Sequence, residues 1–223
     1  MSRPTSSSRS SCPPLTSGGD DDGVAYRIAK RLLDLLLSAS ALVLLTPALA
    51  IISLAVWLED PGAPVLFRQR RCGHGGRPFE LLKFRTMVRG AEALKDSLRS
   101  LSEVPWPDFR VANDPRVTRL GRFLRRSSLD ELPQLVNVLR GEMSLVGPRP
   151  TSFDVSTYSL WQTGRLDFRP GVTGPWQVHG RDSMDFTERC RLEISFFRRH
   201  SLARELWLLV LTVGCVVKRT GVA

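Results

Sequence analysis

One uncharged stretch constrains this chain more than any other feature. From Leu35 to Leu58, 24 residues carry no charge, and only Ser38, Ser40, Thr46, Pro47 and Ser53 interrupt the apolar side chains. A helix rises about 1.5 Å per residue, so this run is long enough to cross a bilayer. A cleaved leader fits poorly: Ala48-Leu49-Ala50 has small residues at the nominal spacing, but apolar residues continue past it. Pro47 opens the second of two 12-residue arms, 35–46 and 47–58. A proline inside a helix removes one backbone hydrogen bond and kinks the axis, and the Thr46 hydroxyl can satisfy a freed carbonyl. Both flanks are basic, with Arg27, Lys30 and Arg31 before the run and Arg68, Arg70 and Arg71 after it. The positive-inside rule therefore assigns no orientation. A re-entrant hairpin with both ends cytoplasmic and a single spanning helix both remain open on these grounds.

The rest of the chain is organised around that segment. Residues 1–23 are rich in Ser, Pro, Gly and Asp and bury too little apolar surface to order, so they read as a disordered tail. Residues 24–62 form the membrane segment, and 63–223 leave room for one small domain. Within it, 64–67 and 79–84 read as short strands about a turn at Gly73, Gly75 and Gly76. An exposed helix is expected at 89–100, loop at 101–116, a helix at about 130–140, and turns from Gly141 to Arg181. Two more helices are expected at 185–199 and 202–218. The last contains an uncharged run, Leu206–Val217, too short to span with ease; it suits a membrane interface or a buried core. Trp57 and Trp207 suit interfacial depth.

Charge narrows the partners. Lys and Arg number 32 against 22 Asp and Glu, a net charge of +10, which calls for an anionic partner. No nucleic-acid recognition motif accompanies the charge, so a phosphorylated substrate or a lipid surface fits better. The cysteines (Cys12, Cys72, Cys190, Cys215) form no CxxC pair and read as reduced thiols, and His74, His179 and His200 show no metal spacing.

Ser128-Leu129-Asp130-Glu131-Leu132-Pro133-Gln134-Leu135 is the segment richest in chemistry. Leu132, Leu135, Val136 and Leu139 fall at helical spacing, and Gly141 stands at a C-cap, placing the acidic pair at a helix N-terminus. Taken alone, Ser128-x-x-Glu131 is a capping box, and a first-turn acid suits the helix dipole. The neighbourhood favours chemistry instead. Arg122, Arg125 and Arg126 precede the pair, and Arg149 follows in Gly147-Pro148-Arg149-Pro150. A carboxylate among arginines stays ionised, can attack phosphorus, and with a hard divalent cation such as Mg2+ can stabilise phosphoryl charge. Lys83 and Arg85 alternate on one strand face, while Gln177 and Arg181 lie in a glycine-rich turn able to present N–H groups to an anion.

The motifs together resemble the bacterial sugar transferases, the monotopic polyprenyl-phosphate phosphoglycosyl transferases, from about Lys30 to Val222. They comprise Lys30-Arg31-x-x-Asp34, Phe67-Arg68-Gln69-x-Arg71-x-Gly73, Lys83-Phe84-Arg85-Thr86-Met87 and Leu120-Gly121-Arg122-x-Leu124-Arg125, the last running on into the Asp130-Glu131 segment. Leu139-Arg140-Gly141-x-Met143-Ser144-Leu145-Val146-Gly147-Pro148-Arg149-Pro150 is the most specific. The resemblance implies an α+β, mainly helical fold: a re-entrant membrane helix-break-helix broken at Thr46-Pro47, plus a small cytosolic catalytic domain with short strands and interfacial helices. It implies Mg2+ at Asp130 and Glu131, a UDP-sugar donor, and a polyprenyl (undecaprenyl) phosphate acceptor at the bacterial inner membrane. Asp130 would attack the sugar-bearing phosphate and release UMP, with Glu131 completing the catalytic pair. Arg125 and Arg149 would bind phosphate or nucleotide, and Lys83, Arg85, Gln177 and Arg181 would add substrate contacts. Glu142 and Glu193 stand where the family often has Asp, and Phe196 and Phe197 where Tyr is usual. Trp176-Gln177 resembles members that transfer a hexose-1-phosphate, and the pattern is that of members without the extra N-terminal membrane domain of larger relatives. The competing expectation is a basic membrane scaffold without activity, in which Asp130 and Glu131 merely cap their helix.

Overall fold

The computed structural model describes residues 20–94, 96–103, 109, 111, 113–152, 154–179, 184–199 and 201–218. Most of the expected tail, and Gly180, Arg181 and His200, lie outside the described residues. The architecture is mainly helical. Helix α1 (Asp20–Glu59) leads into an antiparallel hairpin, β1 (Leu66–Cys72) and β2 (Pro78–Phe84), in register from Leu66–Phe84 to Cys72–Pro78. Helices α2 (Arg119–Arg126) and α3 (Gln134–Arg140) follow, then β3 (Ser144–Val146). A parallel partner, β4 (Gly171–Thr173), leads into α4 (Pro175–His179), α5 (Phe186–Phe197) and α6 (Leu202–Lys218).

α1 begins at Asp20, inside the segment expected to be disordered, and runs through Pro47 as one element. The proline removes one N–H from the ladder, and the Thr46 hydroxyl donates to the Leu42 carbonyl at 2.8 Å one turn earlier. The helix is thus continuous through Thr46-Pro47, where an interruption was expected. Gly23–Glu59 has a mean hydropathy of 2.4 in its most apolar window, and only 6% of that window is buried in the protein. That window is therefore not covered by the rest of the domain. A narrow stripe does face the domain. Ala41 and Leu42 pack on the cluster of Leu81, Val138, Met143, Leu145 and Leu208. Leu49, Ile52 and Val56 join Phe84 and Leu124 in a second cluster. Leu36, Val43, Leu44, Ile51, Leu54 and Leu58 stay exposed.

Polar clasps fix both ends of α1. Asp34, 2% exposed, accepts from Ser144 Oγ at 2.8 Å and from Leu145 N at 3.1 Å, and pairs with Lys30 at 2.7 Å. Lys30 also reaches Glu205 of α6 at 2.9 Å, and Arg31 donates to the Val138 and Leu139 carbonyls at the end of α3. At the other end Arg85 donates to the Val56, Asp60 and Pro64 carbonyls, supplying donors a helix C-terminus lacks.

Several expectations are revised. The described residues of 89–100 form turns and a short 3-10 segment at Asp96–Leu101, with no α-helix among them. α2 and the β3–β4 pair lie where no element was expected. Short strands such as these carry little periodicity and depend on tertiary pairing: Ser144 N donates to Pro170 O, and Gly147 N to Thr173 O. Backbone approach is close enough that a Cβ on Gly171 would lie 2.0 Å from Gly147 N, so glycine is required. Gly141 does cap α3, at φ 81°. α5 starts at an Asp185–Glu188 capping box, and α6 buries Glu205 and Leu208 while exposing Trp207, Val210 and Val213.

Asp34 sets the docking of α1, and removing it leaves Ser144, Leu145 and Lys30 without their shared acceptor. Asp34→Ala is expected to lower stability by about 3–5 kcal/mol, read as a drop in melting temperature of the detergent-solubilised protein.

Candidate active site

The acidic pair does not occupy an α-helix N-terminus. Leu129–Glu131 is a one-turn 3-10 helix, and α3 starts only at Gln134, after Pro133. Ser128 precedes the turn at φ 56°, in the left-handed region that a non-glycine residue occupies at a cost of about 1–3 kcal/mol. Its side chain makes no capping bond. The capping box that would have explained Ser128 and Glu131 as purely structural therefore does not form.

Both side chains turn inward instead. Glu131 Oε1 accepts from Lys83 Nζ and from Arg149 Nη2, each at 2.8 Å. Asp130, 6% exposed, lies 3.9 Å from Lys83 Nζ and takes no hydrogen bond on its carboxylate among the described residues. Three chain segments meet here: β2 brings Lys83, the strained turn brings the acids, and the loop after β3 brings Arg149. Arg125, on the last turn of α2, donates Nε to Thr86 Oγ1 at 3.0 Å and places its charge near Asp130.

The two carboxyls are driven apart electrostatically. Burial pushes Asp130 up from the ordinary Asp value; Lys83 opposes the rise, the neighbouring Glu131 charge adds to it, and Arg125 and Arg149 oppose it more weakly. Burial also disfavours ionised Glu131, but Arg149 and Lys83 outweigh it and hold that carboxyl well below the usual carboxylate range. The combined cationic contacts thus outweigh burial at Glu131, whereas burial outweighs them at Asp130, the carboxyl expected to be held ionised by its arginines. Two adjacent acids with opposite shifts suit two different roles.

Arg85 is not part of this cluster. β2 ends at Phe84, so the alternation that would have aligned Lys83 with Arg85 stops there, and Arg85 instead binds the carbonyls around the end of α1. Gln177 is buried in α4 and donates to the Val172 carbonyl at 3.3 Å. Arg181 lies outside the described residues.

Beyond Arg149 lies a cavity of about 100 Å3, lined by Arg71, Arg149, Arg165, Trp176, Phe186 and Arg189 among others. Sequence reading gave no role there to Arg165, Phe186 or Arg189, which are far apart in the chain. Arg71 was visible as part of the basic flank and of a motif, without a role at this cavity. Glu193 is fully buried beneath this wall, accepting from Arg149 N at 2.9 Å and pairing with Arg165 at 2.7 Å.

Mg2+ commonly binds through one or two carboxylates together with substrate phosphate oxygens. Asp130 and the Glu131 oxygen not engaged by Lys83 and Arg149 provide that minimal set. Among the described residues no third His, Cys, Asp or Glu joins them, so phosphate would have to complete the coordination.

Residues 25–219 match the family described as bacterial sugar transferase. The chain is 43% identical over 204 residues to the UDP-galactose-lipid carrier transferase of Erwinia amylovora, covering 87% of this chain and 42% of that protein. It is 42% identical over 210 residues to the UDP-glucose:undecaprenyl-phosphate glucose-1-phosphate transferase of Caulobacter vibrioides, covering 89% of this chain and 73% of the relative. Exopolysaccharide production protein ExoY of Rhizobium meliloti is 39% identical over 200 residues, with 87% and 88% covered. Several relatives are longer: the chain spans 42% of the Erwinia protein and 44% of galactosyl transferase CpsE from Streptococcus agalactiae.

The raised value at Asp130 fixes the sign of a stability prediction. Such a group favours the fold most below its unfolded value, and that contribution is lost as pH rises through the folded value. Asp130→Asn keeps the shape and removes the buried charge. The variant is expected to melt above the wild type at pH 8, with the gap closing as the pH falls into the acid range, as followed by thermal denaturation in detergent.

Proposed function

Because the chain belongs to the bacterial sugar transferase family, we propose that it transfers a hexose-1-phosphate from a UDP-hexose to undecaprenyl phosphate, through a covalent bond to Asp130. The observation that carries this reading is the unequal pair: Glu131 takes both short cationic hydrogen bonds, and Asp130 remains buried with only a longer ion pair to Lys83 at 3.9 Å. Relatives named for galactose or glucose transfer to undecaprenyl phosphate support the substrate class.

In the first step an Asp130 oxygen bonds to the sugar-bearing phosphorus, the bond from that phosphorus to the bridging oxygen breaks, and the electron pair leaves with UMP. In the second, an oxygen of the lipid phosphate attacks the same phosphorus, the bond to Asp130 breaks, and the carboxylate is restored. Burial strips water from Asp130, which keeps the nucleophile reactive and disfavours hydrolysis of the aspartyl-phosphosugar. Lys83, Arg149 and Arg125 stand where negative charge gathers on the phosphoryl oxygens. Mg2+ held by Asp130 and Glu131 with the diphosphate would neutralise further charge on those oxygens.

α1 enters and leaves the bilayer on one side in this reading. Its two ends are clasped to the same domain, through Asp34 and Arg31 at one end and through Arg85, Ile52 and Val56 at the other. A spanning helix would put those clasps on opposite faces. The exposed apolar sides of α1 and α6 then face lipid, and the catalytic domain rests on the cytoplasmic face of the inner membrane, where nucleotide-sugars are made.

Purified protein with Mg2+, UDP-glucose or UDP-galactose, and undecaprenyl phosphate is expected to release UMP. Asp130→Asn should lower the rate by about 1000-fold or more, and a chelator should suppress it. A fully active Asp130→Asn variant would remove Asp130 as the nucleophile. For topology, Arg27→Cys and Pro61→Cys in a cysteine-free chain should both resist an impermeant thiol reagent in intact cells and react in inside-out vesicles. Labelling of either position from outside would establish a spanning helix instead.

A further inference from the structure

Helix α2 carries more positive charge than the carboxylate pair uses. Arg119, Arg122, Phe123 and Arg126 stand at i, i+3, i+4 and i+7, so they share one face of the helix, within an arc of about 100°. Arg125 leaves the helix on another side, where it bonds Thr86. We propose that the outward face is a docking site for the headgroups of anionic phospholipids, held where α1 emerges from the bilayer. It rests on α1 lying in lipid and not on the transfer reaction.

Position is the first argument. Leu120 and Leu124, on the inner side of α2, pack with Leu49, Ile52 and Val56 of α1. Leu120 N donates to Glu59 Oε1 at 3.3 Å, so α2 begins beside the last residue of α1. On α1 itself, Ile51, Leu54, Trp57 and Leu58 are exposed over the same turns. A tryptophan there suits headgroup depth. Helix α2 is thus fixed at the level where apolar side chains give way to charge. A spanning α1 and a re-entrant one both bring Glu59 to a membrane surface.

Charge and shape are the second. Arg119, Arg122 and Arg126 are exposed, and none has a carboxylate in ion-pair range among the described residues. Arg122 makes one bond, to the Val117 carbonyl at 3.1 Å. Phe123, 54% exposed, stands among the three guanidinium groups. At a bilayer this ring enters the boundary between headgroups and acyl chains while the arginines stay with the phosphates. Together with Ser127 these side chains line a groove of about 270 Å3. Pockets that enclose whole ligands start at roughly 300 Å3, so the groove suits a headgroup whose acyl chains lie outside it.

Construction is the third. Gly121 lies so close to β2's exit that a Cβ there would meet the Thr86 carbonyl oxygen at 2.1 Å. Thr118 caps the helix, its hydroxyl accepting from Gly121 N at 2.9 Å. These contacts fix the rotation of α2 about its axis, so the three arginines are displayed as a rigid set. The same rotation gives α2 two separate duties. Arg125 puts its charge near Asp130, and the outward arginines, although close to the acidic pair in sequence, present theirs on a different side.

The test titrates the full chain in neutral detergent with dioleoyl phosphatidylglycerol or dioleoyl phosphatidylcholine and measures retained lipid by native mass spectrometry. The wild type is expected to prefer phosphatidylglycerol, and the preference should shrink as salt rises. Arg122→Gln should weaken phosphatidylglycerol about fivefold, the effect of one arginine near an anionic surface. Gln at 119, 122 and 126 together should abolish the preference, whereas Lys at all three keeps the charge and should retain it. Phe123→Ser should also lower retention, which charge alone would not predict. Equal retention of the two lipids by the wild type overturns the docking site. So does a preference that survives the triple Gln substitution at an unchanged melting temperature. Displacement of the lipid by an equal concentration of inorganic phosphate makes the groove a free-anion site and overturns lipid docking. A preference for undecaprenyl phosphate over phosphatidylglycerol, lost in the triple Gln variant, makes it an acceptor site and overturns it too. A wild type that retains neither lipid rejects lipid contact by α1 along with the groove, whereas equal retention of both rejects the groove alone.

Discussion

Glu131 receives both Lys83 and Arg149 on one oxygen, and much of the structure around the site depends on that junction. It joins the β1–β2 hairpin, the turn before α3 and the loop after β3, which are otherwise separate in the chain. Two cations on one carboxylate would leave excess positive charge buried if no other anion were near. The substrate phosphates of the proposed reaction would be that anion; Asp130, 3.9 Å from Lys83, recovers only part of its burial cost from the same charge. The same junction drives the two acids apart in basicity, because direct contact stabilises charge on Glu131 while Asp130 keeps the desolvation penalty.

That division explains why the local backbone departs from regular helix. Had Ser128 capped an α-helix and Glu131 closed a capping box, both acids would have pointed back at backbone N–H groups. The left-handed Ser128 and the 3-10 turn cost stability, and they aim the acids at β2 and the loop after β3 instead. Local sequence preference and the observed conformation disagree here, which is where such conflicts mark a working site.

Much of the outline was legible because it rests on long periodic or compositional signals. The uncharged run gave α1, apolar spacing gave α3, the helices expected at 185–199 and 202–218 correspond to α5 and α6, and Gly141 marked a helix end through its need for positive φ. The basic neighbours of the acidic pair were visible as a cluster of charge, and Lys83, Arg125 and Arg149 do converge on it. What escaped depends on contacts distant in sequence. The β3–β4 ladder is three residues a side and exists only where two glycine-bearing segments meet. Arg85 looked equivalent to Lys83 until the strand ended one residue earlier and the helix C-terminus claimed its donors. The arginine and aromatic wall is assembled from β1, the stretch after β3, α4 and α5, so no local window contains it.

Fastening α1 at both ends has a consequence for the chemistry as well as for topology. The acceptor in the proposed reaction is a lipid whose phosphate sits at the membrane surface, so the nucleophile must be held at a fixed height above that surface. Asp34 ties α1 to β3, and β3 leads directly through Gly147 and Pro148 to Arg149. At the other end, Arg85 ties α1 to the end of β2, two residues from Lys83. Both cations that hold Glu131 are thus mechanically continuous with the apolar helix. Rigid, short connections of this kind transmit position with little loss, because packed interiors resist deformation. In the proposed reaction, the depth of α1 in lipid would therefore set the depth of the carboxylate pair.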